Sequence, residues 1–503
     1  MSNSGKANRE ETIRGSLLAK NTLWNTLGLV LPLVVGLFAM PFLVHGLGTE
    51  RFGVLTIAWM VIGYFSIFDF GLGRALTKLV AEKLGGDDHS SIPSLIWTAM
   101  AMMGFAGLIG AVVVALLAEQ MVYSWLNIGD ALQPESLNTF YILAVSIPFV
   151  IATTGFRGVL EAYQKFAIIN IIRIPLGLWT FLGPLAVLPF SASLDAIVLA
   201  LLGGRIVGAY AYYHYCVKTV PELRAKVAID KAAIKPLLSF GGWMTVSNVI
   251  GPLMVYLDRF LIGSMLTMTA VAYYVAPYEM VTKLLMIPMG LIGVLFPAFS
   301  TMLSSDKGRA TQYYSRALNL IFFAMLPIFL VINTFAFEGM NFWLGEEFAL
   351  NSTQALQWLS IGVFINCVGR VPYVLIQSAG RPDLPAKLYL IELPLYLCGL
   401  WFALQQAGIE GAAFVWMIRV LVDTTVFVCL GSFVVSEIWG ISRNILIQLV
   451  LGLALLGAVT LIDVFFVKIM LLLIAMPLII YFAWNRGMDE SDRGRLLSVY
   501  NKK

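Results

Sequence analysis

Six ionisable residues of this chain stand where water should be scarce: Asp69, Arg74, Arg173, Arg205, Arg370 and Glu392. Each lies in or against an apolar run long enough to cross a bilayer. A charge at membrane depth costs roughly 2.5–3.5 kcal/mol on insertion scales, so each needs a partner or a task. Arginine suits phosphate, because its planar fork donates two hydrogen bonds and its charge survives burial. A carboxyl among apolar groups is a natural place to take up and release a proton.

Arg205 ("LLGGRIVGAY") and Arg370 ("INCVGRVPYV") are the sharpest cases, since neither has an acid within a helical turn. Guanidiniums so placed face an interior or a water-filled cavity and mark a pathway. The plainer reading is an interhelical salt bridge. Asp69 and Arg74 ("FDFGLGRALT") are five apart, too far round a regular helix to pair easily, and Gly71 and Gly73 between them invite a break. Such a break is tolerated only where backbone lines a protein cavity. The alternative is a span that ends early, with Arg74 snorkelling to headgroups. The other intramembrane charges have local partners: Glu279 with Lys283 and Arg419 with Asp423 are four apart, and Asp258 adjoins Arg259. These three pairs read as mutual neutralisation for insertion.

The elements that hold these residues are membrane helices. Of 503 residues 59% are hydrophobic and 12% charged, about half the charged fraction of a soluble domain. Mean hydropathy is +0.85. Windows of spanning length predict fourteen helices, near 21–44, 53–77, 93–118, 138–158, 166–190, 195–217 and 236–262, then 269–299, 316–337, 355–379, 386–404, 411–433, 444–463 and 467–484. The fold class is therefore an all-α polytopic membrane protein. No polar stretch is long enough for a soluble domain.

Lys and Arg set the orientation. With the amino terminus in the cytoplasm, 25 of the 33 fall on inside segments and only Arg51, Arg259 and Lys468 outside. That asymmetry predicts both termini inside, and it accounts for the net charge of +4 without nucleic acid. Residues 1–20 mix acids with bases and read as a cytoplasmic interfacial segment, not a cleaved leader. Cys216, Cys367, Cys398 and Cys429 have no metal-like spacing, and His45, His89 and His214 lie in or beside loops. No phosphate-cradling G-x-x-x-x-G-K-[ST] occurs, so neither a cofactor nor an energy-coupling enzyme is expected.

The longest inside loop, "KTVPELRAKVAIDKAAIKP" (218–236), divides the spans into six and eight. Across it the chain echoes itself: "GVLEAYQKFAIINIIRIPL" (158–176) against "VLIQSAGRPDLPAKLYLIELPL" (374–395). With a three-residue gap, Arg173 and Glu392 match. The expected domains are a six-helix lobe (21–217), the basic linker (218–236), a second six-helix lobe (237–433), two further helices (434–484) and a cytoplasmic tail (485–503).

Six plus six plus two spans, together with "NTLWNTLGLVLPLVVGLFAMPFLVHGLGTERFGVL" (21–55), "IFDFGLGRALTKLVAE" (67–82), "GGWMTVSNVIGPLMVYLDRFLIG" (241–263) and "YYVAPYEMVTKLLMIPMGLIGVLFPAFS" (273–300), resemble the O-antigen-type (Wzx-like) polysaccharide-repeat flippases. Their superfamily also holds the multidrug and toxin extrusion (MATE) antiporters. The resemblance implies two pseudo-symmetric six-helix lobes around a cavity, and alternating access that flips a polyprenyl-diphosphate-linked oligosaccharide across a bacterial inner membrane. In that reading Arg74, Arg173, Arg205 and Arg370 bind substrate, while Asp69 and Glu392 are candidates for coupling to H+ or Na+. Other polysaccharide-assembly membrane proteins are candidate partners. A drug or cation antiporter of the same fold is the alternative, though cationic cargo calls for acids where this chain has arginines. A membrane-bound polymerase or ligase fits less well, because every outside loop is short.

Overall fold

A computed structural model of the protein describes residues 30–64, 71–86, 89–224, 227–462 and 464–486. All regular structure among these residues is helical. In hydrocarbon every backbone N–H and C=O must be satisfied within its own segment, and the α-helix does this for an apolar run. The helices are α1 (30–47), α2 (Thr49–Tyr64), α3 (Leu72–Gly85), α4 (Ile92–Gln120), α5 (Gln133–Ala162), α6 (Phe166–Val187), α7 (Leu194–Thr219) and α8 (Lys231–Met265). They continue as α9 (Met268–Thr282), α10 (Met286–Ser305), α11 (Lys307–Thr334), α12 (Ala336–Leu344), α13 (Glu346–Ser378), α14 (Asp383–Val434), α15 (Trp439–Thr460) and α16 (Phe465–Arg486).

Eleven described helices are long and apolar enough to cross a membrane. The 52-residue α14 supplies two of the fourteen expected spans, because its backbone leaves the helix at Ala407 (φ −138°) and Gly408 (φ 55°). Only glycine takes the second of these angles without a Cβ penalty. The 35-residue α8 is long enough for another span. The expected span at 269–299 lies within one candidate span, Met268–Leu303, in which a 3-10 turn at Lys283–Leu285 separates α9 from α10. The break expected between Asp69 and Arg74 is present on the Arg74 side: Gly71 (φ 69°) precedes α3 in the left-handed conformation. Asp69 itself, the segment 1–20 and most of the tail lie outside the described residues.

By packing, the chain divides into two compact units, residues 1–272 and 273–503. In the first, α5 packs against α3, α4 and α7, and α6 against α7. The helix after the basic linker, α8, packs on α2, α3 and α4, so contacts group it with this unit. Polar contacts tie one end of this unit. Arg51 meets Glu135 at 3.1 Å, Glu135 also accepts from the Leu194 N–H, and Glu50 accepts from the Gly129 N–H at 2.8 Å. In the second unit α13 is central, packing against α10, α11, α12 and α14. Its most apolar stretch is 83% buried against protein, which makes α13 the core rather than a lipid-facing helix. α15 and α16 pack on α11, where Lys468 reaches Glu338 at 2.8 Å.

The internal echo is visible as hydrogen bonds. At the end of α5 the N–H groups of Tyr163, Gln164 and Lys165 donate to Val159, Glu161 and Leu160 at 3.1, 2.9 and 2.9 Å. At the end of α13 those of Ala379, Gly380 and Arg381 donate to Leu375, Gln377 and Ile376 at 2.9, 3.0 and 3.1 Å. Both turns pass through the left-handed region, at Gln164 (φ 56°) and Gly380 (φ 76°). This is a helix end closed by its own last carbonyls.

Candidate functional site

A buried charged group in the second unit is built on α13 and α14. Gly362 and Gly369, two turns apart on α13, let it approach α14 closely: a Cβ on the first would collide with Trp416, and on the second with Thr424. The Thr424 hydroxyl donates to the Ile365 carbonyl at 3.3 Å, fixing the register. That approach delivers Arg370 to the neighbourhood of Asp423. Arg370 Nε donates to Asn366 Oδ1 at 3.0 Å.

On α14 itself, Arg419 Nη2 lies 3.8 Å from Asp423 Oδ2 and its guanidinium carbon 5.3 Å from the Tyr396 ring centre. Glu392 and Asp423 are 6% and 5% exposed, and their carboxyls lie close enough to interact electrostatically. Two guanidiniums and two carboxyls thus meet in one buried group. Aromatic rings surround it: Tyr278 against Trp416 at 5.7 Å, and Tyr373 and Tyr389 against Phe427 at 5.4 and 6.1 Å. Such an arrangement can compensate charge among its members, and can exchange one member's partner for a ligand, because each charge has more than one neighbour.

The first unit gathers different chemistry. Arg173, half-buried on α6, shares the surroundings of the buried Tyr212 with Arg157 and Glu161. Arg157 Nε and Glu161 Oε1 are 3.4 Å apart, and the Tyr212 hydroxyl donates to the Ile169 carbonyl at 3.4 Å. Arg205 is half-buried on α7 beside Gly204, whose missing Cβ leaves room for the Trp179 ring of α6. Arg205 has no polar side-chain partner among the described residues. Arg74 is exposed on α3 between buried neighbours, likewise with no partner among the described residues.

The structure therefore brings Arg370 and Glu392 into one group and places Arg173 in another. Arg74 and Arg205 stand apart from both among the described residues. Two members, Arg419 and Asp423, are not among the site residues that the sequence predicts, because their spacing predicts a self-contained pair. The i,i+4 spacing was the available signal for the pair, but nothing in the spacing of Glu392 reveals that the bend at Ala407 and Gly408 folds it back onto Asp423. The pairs read as local hold in part: Lys283 Nζ is 2.6 Å from Glu279 Oε2, and Asp258 and Arg259 are both buried, the latter 5.3 Å from the Tyr256 ring.

Comparison with known proteins places this architecture. The profile of the family described as polysaccharide biosynthesis protein matches residues 18–303. The chain is 32% identical over 418 residues to the "Putative O-antigen transporter" of Shigella flexneri, covering 81% of this chain and 96% of that one. It is 23% identical to the lipopolysaccharide biosynthesis protein WzxC of Escherichia coli K12, covering 83% and 80%. Among solved structures, an inward-facing MATE multidrug transporter matches with a TM-score of 0.67 at 14% identity over 83% of this chain and 95% of that one. The lipid II flippase MurJ matches with a TM-score of 0.66 at 14% identity, over 92% and 99%. The fold is that of the MATE-like membrane transporters. The chain belongs to the polysaccharide biosynthesis protein family.

Proposed function

We propose that the protein is a flippase that moves polyprenyl-diphosphate-linked oligosaccharide units across the bacterial inner membrane for O-antigen-type polysaccharide assembly, with both termini in the cytoplasm. The observation that carries this reading is the similarity along 96% of the Shigella flexneri protein named "Putative O-antigen transporter", on a fold shared with a lipid II flippase. It is a transporter and not an enzyme.

The chemistry fits. A bare diphosphate and its sugars lose tens of kcal/mol of hydration in hydrocarbon, and in-span guanidiniums restore part of it. Arg205 is the foremost candidate for diphosphate, since its charge has no polar partner among the described residues. Arg370 can exchange Asn366 for a phosphate oxygen, and Arg74 and Arg173 are supporting candidates. Glu392, facing Asp423, is the candidate site for coupling to H+ or Na+. The six-helix lobes flanking the 218–236 linker, with two added helices and a tail, remain the proposed domain plan.

Arg205→Gln and Arg370→Gln should reach the membrane at near-normal levels and lose at least tenfold in polymer export per molecule. Arg→Lys at either position should recover part, because the point charge survives while the bidentate fork is lost. Unchanged export per molecule in both Gln variants would remove these arginines from the substrate path. For coupling, Glu392→Gln should flatten the dependence of export on external pH or Na+; a retained dependence moves coupling elsewhere.

A further inference from the structure

Between α11 and α15 lies a cavity of about 410 Å³ that the charged groups above do not use. This is within the roughly 300–1,000 Å³ of ordinary small-ligand sites. Its polar lining is Ser315, Asn319, Asn444 and Gln448, with Leu318 and Ile445 among its apolar walls. None of the residues lining it is charged.

Its depth follows from the helices. α11 starts at Lys307, which pairs at 3.6 Å with Glu437 just before α15, so both helices begin at the same level. At 1.5 Å per residue, Asn319 lies about 18 Å along α11 and Gln448 about 14 Å along α15. The recess therefore runs from the headgroup level into the hydrocarbon of one leaflet, on the side that the basic residues assign to the cytoplasm. Leu320 and Ile447, each next in chain to a lining residue, are 54% and 53% exposed, so its surroundings are lipid-facing.

Hydrogen-bonding groups in such a place are costly unless paired. Asn319 Nδ2 donates to the Ser315 carbonyl at 3.0 Å, which leaves its carbonyl oxygen available. Gln448 Oε1 is shielded from solvent and has no hydrogen-bond partner among the described residues. Each amide offers both donors and an acceptor. Hydroxyl groups match that offer, being donor and acceptor at once. None of the lining residues would supply a phosphate with a cation, and an acyl tail would leave Gln448 Oε1 unpaired.

We infer that this cavity is a sugar site: it takes the neutral polyol end of a glycolipid lying in the adjacent leaflet. The inference rests on the topology and function proposed above, in which a lipid-linked saccharide waits in the cytoplasmic leaflet. A phospholipid glycerol headgroup shares the hydroxyl chemistry, and the test separates the two.

The full-length protein in phosphatidylcholine nanodiscs is exposed to two photoactivatable probes with the same alkyl chain, one an alkyl glucoside and the other an alkyl phosphocholine. The glucoside should label the segments 315–320 and 441–448 at least fivefold more strongly. Excess unlabelled alkyl glucoside should displace it and phosphatidylglycerol should not. The double variant Asn319→Leu/Gln448→Leu should lose the labelling while keeping its helicity. Equal labelling by both probes, or labelling unchanged in the variant, overturns the site. Displacement by phosphatidylglycerol also overturns it and assigns the recess to a phospholipid. Labelling needs no transport: its absence in a protein that restores polymer export sinks the sugar site alone, whereas labelling without restored export sinks the proposed function and leaves the site.

Discussion

The turns at 159–165 and 375–381 share three backbone hydrogen bonds and the same left-handed residue, yet the side chains hung on them differ in kind. Counting back along the two uninterrupted helices, Arg157 and Glu161 correspond to Tyr373 and Gln377. The first pair is an ion pair at 3.4 Å, the second a neutral hydrogen bond at 2.9 Å. The same register sets Thr153 and Thr154 of α5 against Gly369 and Arg370 of α13, and beyond the three-residue gap Arg173 against Glu392. The comparison teaches that backbone geometry at the two helix ends is the same while charge has been redistributed. At these positions the second unit has a neutral pair, and a buried charged group lies nearby around Glu392 and Asp423.

Three pairs of substitutions test that divergence. The largest effect is expected from Glu392→Arg, which gives the second unit the residue of the first. It removes one of two buried carboxyls and adds a third guanidinium beside Arg370 and Arg419. Breaking a buried charge arrangement in this way costs about 3–5 kcal/mol, so the variant should fail to accumulate in the membrane. Arg173→Glu, at a half-buried site, should accumulate more nearly normally. Equal membrane levels for both would show that the two positions carry equivalent burdens.

Gly369→Thr is the middle case. Its new Cβ collides with Thr424, and overpacking of this sort costs about 1–3 kcal/mol. The unfolding midpoint in detergent should fall by several degrees, whereas the reciprocal Thr153→Gly should cost about 1 kcal/mol or less. A small-to-large change that leaves the midpoint untouched would mean α13 and α14 do not need this close approach.

The smallest effects belong to the turns themselves. Gln164 pays for a left-handed backbone that Gly380 adopts freely, a difference of about 1 kcal/mol. Gln164→Gly should raise the unfolding midpoint slightly and Gly380→Gln should lower it, with export unaltered in both. Opposite signs at the two positions support equivalence of the turns; like signs refute it.

Much of the architecture is legible along the chain. A membrane span announces itself because the bilayer demands about 20 apolar residues in a row, so fourteen windows and a helical fold follow from hydropathy. Gly71 and Gly73 announced an interruption before α3, and the echo around Pro175 and Pro394 announced the paired turns. Less was legible where hydropathy stays high across a break. The expected span at 269–299 is divided at Lys283–Leu285, and the bend of α14 rests on two residues, Ala407 and Gly408.

The candidate site was legible as a set of residue types and not as groupings. Arg74, Arg173, Arg205, Arg370 and Glu392 stand out because a charge in an apolar run is costly wherever it points. Which charge meets which is another matter. The sequence by itself determined the spans, the bias of basic residues to one face, and the i,i+4 partners Arg419 with Asp423 and Glu279 with Lys283, since one helix fixes those distances. Only the tertiary structure decided that Glu392 joins Arg419, Asp423 and Arg370, that Arg205 has no such company among the described residues, and that Asn319 and Gln448 share a recess. Those neighbours lie on different helical segments, and their distances depend on where a glycine lets two backbones close together and where one lets a helix turn back.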